Sequence, residues 1–195
     1  MRAAADEPGT APRVVTERLA LTPLVGVDAA HLFAYRSLAE VSRYQSWEPA
    51  CLADAEAFVE ALAGAEFDTP GTWFQLGVRL RETDRLVGDL GVHFLDDGRQ
   101  VEIGFTLAPD FQAMGLGTEA VEALLALLFG RLRKHRVFAS VDPRNAPSVL
   151  LLERVGMRRE AHHVESLLFK GEWADDLIYA MLAAEWADRA AGAAS

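Results

Sequence analysis

Apolar and polar positions alternate along this chain with two different periods, and the change of period sets out its elements. Residues 14–22 (VVTERLALT) alternate as a first strand. Asp28 then stands as the N-cap of a helix over 29–40, with Leu32, Tyr35, Arg36 and Ala39 at helical spacing. A loop carrying Trp47, Glu48 and Pro49 leads to a second short helix over 54–64, stopped at Gly64. Period two returns in 73–80, 85–95 and 100–107, which read as three antiparallel strands. Asp97-Gly98 joins the second and third as a hairpin turn. A helix over 116–133 buries a stripe of Ala120, Val121, Leu124, Leu125 and Leu128. Strand 136–141, a helix over 146–155 stopped at Gly156, and a hairpin of 157–169 with 174–182 complete the set.

This mixture, with a meander at its centre, indicates a three-layer α/β (α+β) domain. One domain over 13–186 accounts for the pattern, with flexible tails over 1–12 and 187–195, the second Ala-rich. No repeat or linker divides the 195 residues.

Composition narrows the partners. A formal net charge of −10 argues against a nucleic-acid groove, which needs a basic face. It suits a cationic ligand, and it equally serves solubility. Arg131, Arg133, Lys134, His135 and Arg136 form a local basic cluster that fits a solvated helix C-terminus. No run reaches the roughly 18 apolar residues of a membrane span, and the first residues lack the pattern of a secretory signal, so the expected compartment is the cytoplasm. Cys51 is the sole cysteine, which excludes an intrachain disulfide.

Candidate chemistry concentrates at Gln112-Ala113-Met114-Gly115-Leu116-Gly117-Thr118-Glu119, between a strand and an amphipathic helix. Glycines there let the backbone approach a ligand, and the helix start offers unpaired N–H groups, an arrangement suited to a diphosphate. A ligand-free strand-to-helix turn would use the same residues. The chain has no G-x-x-x-x-G-K-[ST] loop and no third glycine with a downstream acid as in a dinucleotide fold. Nor has it a metal-spaced His/Cys/Asp cluster or a G-x-S-x-G elbow.

Gln112-x-x-Gly115-x-Gly117 resembles the Q/R-x-x-G-x-G/A coenzyme A signature of the GNAT N-acetyltransferase superfamily. The flanking Val101-Glu102-Ile103-Gly104-Phe105 and Thr118-Glu119-Ala120-Val121 resemble it too, as do Asn145-Ala146-Pro147-Ser148, Glu153-Arg154 and Gly156-Met157. Thr16-Glu17-Arg18-Leu19 and Gly171-Glu172-Trp173, with Asp175 and Tyr179, are similar to the branch that acetylates ribosomal-protein N-termini. The resemblance implies a twisted mixed sheet of about seven strands, splayed between 100–107 and 136–141, with helices on both faces. It implies acetyl-CoA as co-substrate, no metal, and direct acetyl transfer to a primary amine. Pantetheine would bond near Leu107, whose amide would also face the thioester carbonyl. The diphosphate would lie on the amides of Gln112, Ala113, Met114, Gly115, Leu116, Gly117 and Thr118. Asn145 would touch the coenzyme or cap its own helix.

The central hairpin ranks the acid–base candidates. A turn at Asp97-Gly98 sets His93 opposite Glu102 and Asp89 opposite Thr106, so Asp89, Gly91, His93, Glu102, Gly104 and Thr106 share one face. Glu102 is the candidate general base, and it also matches a glutamate common at this position in the family. His93 and Asp89 are candidate acceptor contacts. An exposed cross-strand His–Glu pair is the plainer account of the first. The family's acidic tyrosine is replaced by Leu152, and Ser148 matches a serine held to take that role in the ribosomal-protein branch. Trp47 resembles a wall of the acceptor loop. The acceptor is either a protein N-terminus or a cationic small molecule such as an aminoglycoside-like antibiotic. The rival class is a non-catalytic acyl-CoA-binding sensor or partner module. A homodimer is compatible with the sequence, although no feature specifies one.

Overall fold

The computed structural model describes residues 13–193. Its frame is one sheet of eight strands in the order β1-β2-β3-β4-β5-β6-β8-β7. The strands are β1 (Val14–Val15), β2 (Leu19–Pro23), β3 (Thr72–Leu80), β4 (Leu86–Phe94), β5 (Gln100–Leu107), β6 (Arg136–Val141), β7 (Arg158–Phe169) and β8 (Glu172–Leu182). The helices are α1 (Ala29–Arg36), α2 (Ala39–Ser42), α3 (Leu52–Ala61), α4 (Leu116–Leu125), α5 (Ala146–Arg154) and α6 (Ala183–Ala193). Eight strands replace the expected seven because 14–22 is not continuous. Thr16 turns the chain there, its Oγ1 accepting from the Leu19 N–H at 2.9 Å.

β4 and β5 pair in the expected register, with His93 opposite Glu102, Gly91 opposite Gly104 and Asp89 opposite Thr106. The turn differs from the expected two-residue form. Leu95 pairs with Gln100, its N–H donating to the Gln100 carbonyl, and four residues connect them. Gly98, at φ +64°, donates to the Leu95 carbonyl, while Asp97 accepts from the Arg99 and Gln100 N–H groups at 2.8 and 2.9 Å. The strand pairing survives because the next pair outward is the same in either turn.

The period-two pattern of β4 feeds two cores. Leu90, Val92 and Phe94 face the cluster that also holds Leu116, Val121, Leu124 and Leu128 of α4 and its extension. Asp89 lies on the opposite face beneath α1, whose Leu32 and Tyr35 pack with Val59 of α3. A bulge at Val87, with Leu86 opposite Arg79 and Gly88 opposite Val78, lets Leu86 join this second core. The expected helix over 29–40 breaks at Ser37, and α2 resumes at Ala39. Asp28 accepts from the Val25 N–H at 2.8 Å and forms a buried ion pair with Arg79.

Two expectations are corrected here. The segment after Trp186 is ordered as α6 through Ala193, where Arg189 reaches Glu122 at 2.6 Å and the Arg154 carbonyl at 3.3 Å. The expected tail 1–12 lies outside the described residues. The basic cluster is not wholly solvated: Lys134 is 5% exposed, paired with Asp68, and donates to the Gly98 carbonyl at 2.7 Å. Among the described residues no helix is long and apolar enough to cross a membrane, and no group of His, Cys, Asp or Glu could hold a metal ion.

Candidate active site

The site begins where the sheet fails. β5 and β6 run parallel and pair only at Gln100–Arg136, Val101–Val137 and Glu102–Phe138. Beyond Glu102 they part, while β6 stays paired with β8 through Val141–Leu177. The Ala108 N–H donates toward β4, to the Val87 carbonyl at 2.9 Å. Backbone groups alternate along a strand, so the N–H groups of Ile103, Phe105 and Leu107 point into the gap. The Leu107 carbonyl is taken by Gln112 Nε2 at 2.9 Å, which ties the strand end to the glycine turn.

Two cavities fill the gap and share Tyr44, Gln45, Phe105, Asn145 and Ser148. One, of about 270 Å³, runs from Gln112 and Gly117 past Leu107 and Leu151 to Ser148. The other, of about 320 Å³, continues beyond Glu102 and Trp73 to Asp142, Asp175 and Asp176. Together they form a through-going cleft with Ser148 at the junction.

The glycine turn is built for close approach at the first mouth. Ala113 and Gly115 both take left-handed backbone angles, φ +57° and +77°. A Cβ at Gly117 would stand 2.8 Å from Leu151 Cδ1 and 3.2 Å from Leu107 Cδ1. The turn delivers the chain into α4, whose first N–H groups lack helical acceptors. A diphosphate at the turn with a slender arm running into the gap fits this cradle. Asn145 caps α5, its Oδ1 accepting from the Ser148 N–H at 3.4 Å, and still lines both cavities.

The hairpin face carries the expected side chains, but they divide in role. Glu102 lines the second cavity with its side chain 29% exposed, and His93 Nδ1 lies 3.6 Å away, too far for a hydrogen bond. That nitrogen is buried without a hydrogen-bond partner, and its ring stacks on Trp73 with centroids 4.7 Å apart and planes 9° apart. Asp89 does not reach an acceptor. It is 1% exposed, accepts from Tyr35 Oη at 2.7 Å and from Arg36 Nε at 3.2 Å, and forms an ion pair with Arg36. Burial opposes the Arg36 charge, yet Asp89 more than offsets it and holds that pKa above its usual value. Burial, then Asp89, pushes the Tyr35 phenol well up, so it remains a neutral donor. Arg36 Nη1 donates onward to Gln45 Oε1 at 2.9 Å, so this buried trio positions a residue of the cleft wall.

Trp47 does not line either cavity. It stacks on Phe58 at 4.2 Å beside Arg36, closing the second core. The tryptophan of the cleft is Trp73, 47% exposed and opposite His93. A count from the turn after β3 would miss it, because the bulge at Val87 shifts the register by one and moves Trp73 into the place opposite His93 that Thr72 would otherwise take. Tyr44, Gln45 and Asp176 were unmarked, and Asp175 entered only through the resemblance, since they come from a loop and a distant hairpin. Asp175 accepts from the Glu165 N–H at 2.9 Å and meets His162 Nε2 at 2.7 Å. These bonds hold its carboxyl below the usual range. Leu152 is fully buried in the cleft wall, where it presents no acid. Tyr179 is spoken for: it donates to Glu153 at 2.8 Å, and burial, then that carboxylate, raises its pKa.

Comparison with known proteins agrees with this geometry. A family model described as "Acetyltransferase (GNAT) domain" matches residues 18–158. The chain is 30% identical over 173 residues to the N-acetyltransferase YnaD of Bacillus subtilis, covering 89% of this chain and 98% of that protein. It is 26% identical over 123 residues to the ribosomal protein uS5-alanine N-acetyltransferase of Escherichia coli, covering 62% and 63%. The solved GNAT-family acetyltransferase of Bacillus anthracis superposes with a TM-score of 0.82 at 28% identity, covering 89% of this chain and all of that one. A sheet parted beside a glycine turn and a family match over most of its length lead to one conclusion: this chain belongs to the GNAT family and is an N-acetyltransferase that uses acetyl-CoA.

Proposed function

We propose that the enzyme moves the acetyl group directly onto a positively charged primary amine, with the donor in the Gln112–Ser148 arm of the cleft and the acceptor beyond Glu102. The observation that carries this reading is the continuity of the two cavities through the parted strands, with four acidic side chains in the second against Glu40 alone in the first. Glu102, Asp142, Asp175 and Asp176 line it, a setting that favours a cation. Asp142 is neutralised locally by Arg144 at 2.6 Å, and the other three carry the attraction. A protein N-terminus and a cationic small molecule both present the required group.

The bound thioester supplies an activated acyl carbon, and the residues of this chain manage charge and protons around it. The Leu107 N–H points into the gap and is suited to donate to the carbonyl oxygen as negative charge develops there. Glu102 takes the proton that the amine must lose before it can attack, directly or through a water. Ser148 Oγ, at the junction, donates to the departing sulfur. A thiol's reference pKa of about 8.5 makes this leaving group undemanding, so a hydroxyl suffices. Catalysis needs no enzyme nucleophile, and Cys51 is exposed and outside both cavities.

Calorimetry with CoA, followed by thiol-release assays against α-amino peptides starting in Ala or Ser, polyamines and aminoglycosides, tests the reading. Amine-dependent thiol release is the expected result. CoA binding with no amine accepted would make the protein an acyl-CoA sensor instead. Trp73→Ala is expected to raise the acceptor KM about tenfold through lost aromatic contact, with kcat changed less than about twofold. An unchanged KM would remove Trp73 from the acceptor site.

A further inference from the structure

The coenzyme turn is held from behind by the β1–β2 corner. Glu119, in the first turn of α4, accepts from Thr16 Oγ1 at 2.5 Å, from the Arg18 N–H at 2.9 Å and from Arg18 Nε at 2.6 Å. Arg18 Nη1 then donates to the Met114 carbonyl at 2.9 Å, inside the glycine turn itself. Four bonds therefore join residues about one hundred positions apart in sequence. They occupy the side of the turn away from the cleft, which Gln112 and Gly117 line.

The peptide between Met114 and Gly115 is planar and trans, so its C=O and N–H point in opposite directions. Fixing the carbonyl on Arg18 fixes the Gly115 N–H toward the other side of the turn. Without that hold, Gly115, which can take either sign of φ, leaves the plane free to rotate and to present an oxygen where an anion must bind. The pairing also manages charge. A bare carboxylate in the first turn of α4 would repel a diphosphate, and Arg18 neutralises Glu119 there.

Resting on the acetyl-CoA reading above, we propose that Thr16, Arg18 and Glu119 are positioning residues for the coenzyme, acting by setting the peptide orientation of the 113–115 turn. They set donor affinity and leave the chemical step alone.

The test uses the full chain and CoA itself. By calorimetry, Arg18→Met and Glu119→Gln are expected to weaken CoA about ten- to thirtyfold, and Thr16→Val about threefold. The acetyl-CoA KM should rise in parallel, with kcat at saturation within about twofold of the parent. Arg18→Lys, which keeps the charge and loses the fork, should recover only part of the affinity. Arg81 grips the same corner through the Thr16 and Glu17 carbonyls, at 2.8 and 3.0 Å, without touching the turn. Arg81→Met should therefore lower Tm and leave CoA affinity within about twofold of the parent. CoA affinity unchanged in a folded Arg18→Met or Glu119→Gln protein would overturn the proposal. So would equal weakening by Arg81→Met, since general loosening would then account for it. If Arg18→Met does not fold, Thr16→Val and Arg18→Lys decide the matter by the same titration. A parent protein that ignores CoA would remove the coenzyme site itself, whereas parental binding with indifferent variants removes only the strap.

Discussion

Glu102→Gln is expected to lower turnover at pH 7 by about 10²–10⁴-fold while leaving CoA affinity unchanged. The size follows from the acceptor's chemistry. An alkyl amine with a pKa of about 10.4 is neutral in roughly one molecule in 2,500 at pH 7, and only the neutral form attacks a carbonyl. An α-amino group with a pKa of about 7.7–8.0 is neutral in roughly one in six to eleven, so the upper end of the range belongs to the alkyl amine. Glutamine keeps the shape and some hydrogen bonding of the side chain but cannot take the proton. His93 does not substitute, since its near nitrogen stands 3.6 Å from the carboxylate and its ring is stacked against Trp73. As pH rises toward 10 the amine sheds its own proton, so the gap between parent and variant should narrow. Initial rates of thiol release from pH 6.5 to 9.5, with the acceptor saturating, check both parts. Equal rates at pH 7 would free Glu102 from the assignment.

The largest effect on stability should come from Asp89→Ala, which leaves the buried Arg36 cation without its partner. Removing one member of a buried pair costs about 3–5 kcal/mol. For a domain of this size that lowers Tm by roughly 6–20 °C. The Tyr35 hydroxyl loses its acceptor in the same change. Replacing Asp89 and Arg36 together by apolar residues of similar volume should recover most of the loss, because two desolvated charges then disappear. That double variant would still lack the Arg36–Gln45 bond, and a raised acceptor KM in a protein of near-parental Tm would reveal that link. Thermal unfolding of the two variants beside the parent decides the point. A shift under about 2 °C in Asp89→Ala would refute the buried-pair account.

Much of this architecture was legible before the coordinates because it is written in local signals. The β4–β5 register could be counted from a single turn, and even a different turn geometry left the pairing intact. The glycine turn carried its own signature of spaced glycines. What stayed hidden was set by distance along the chain. Asp89 has the right face and parity for an acceptor contact, yet α1 folds over it, and nothing in β4 tells that Arg36 will arrive. Trp47 and Trp73 look alike in sequence, and their fates were divided by which neighbour came to lie beside each, Phe58 or His93. The helix after Trp186 was missed because alanine-rich composition says little until Arg189 finds Glu122.

The parting of β5 from β6 has a consequence for how such an enzyme can change. On the proposed reading, the donor is held by peptide groups at the open edge of β5 and around Gly115. Proline apart, no single side-chain replacement deletes a main-chain N–H. On the same reading the acceptor's half is made of side chains, Trp73, Asp175 and Asp176 among them, each replaceable while Glu102 is kept. A chain built this way can trade one amine for another while still spending the same acyl currency.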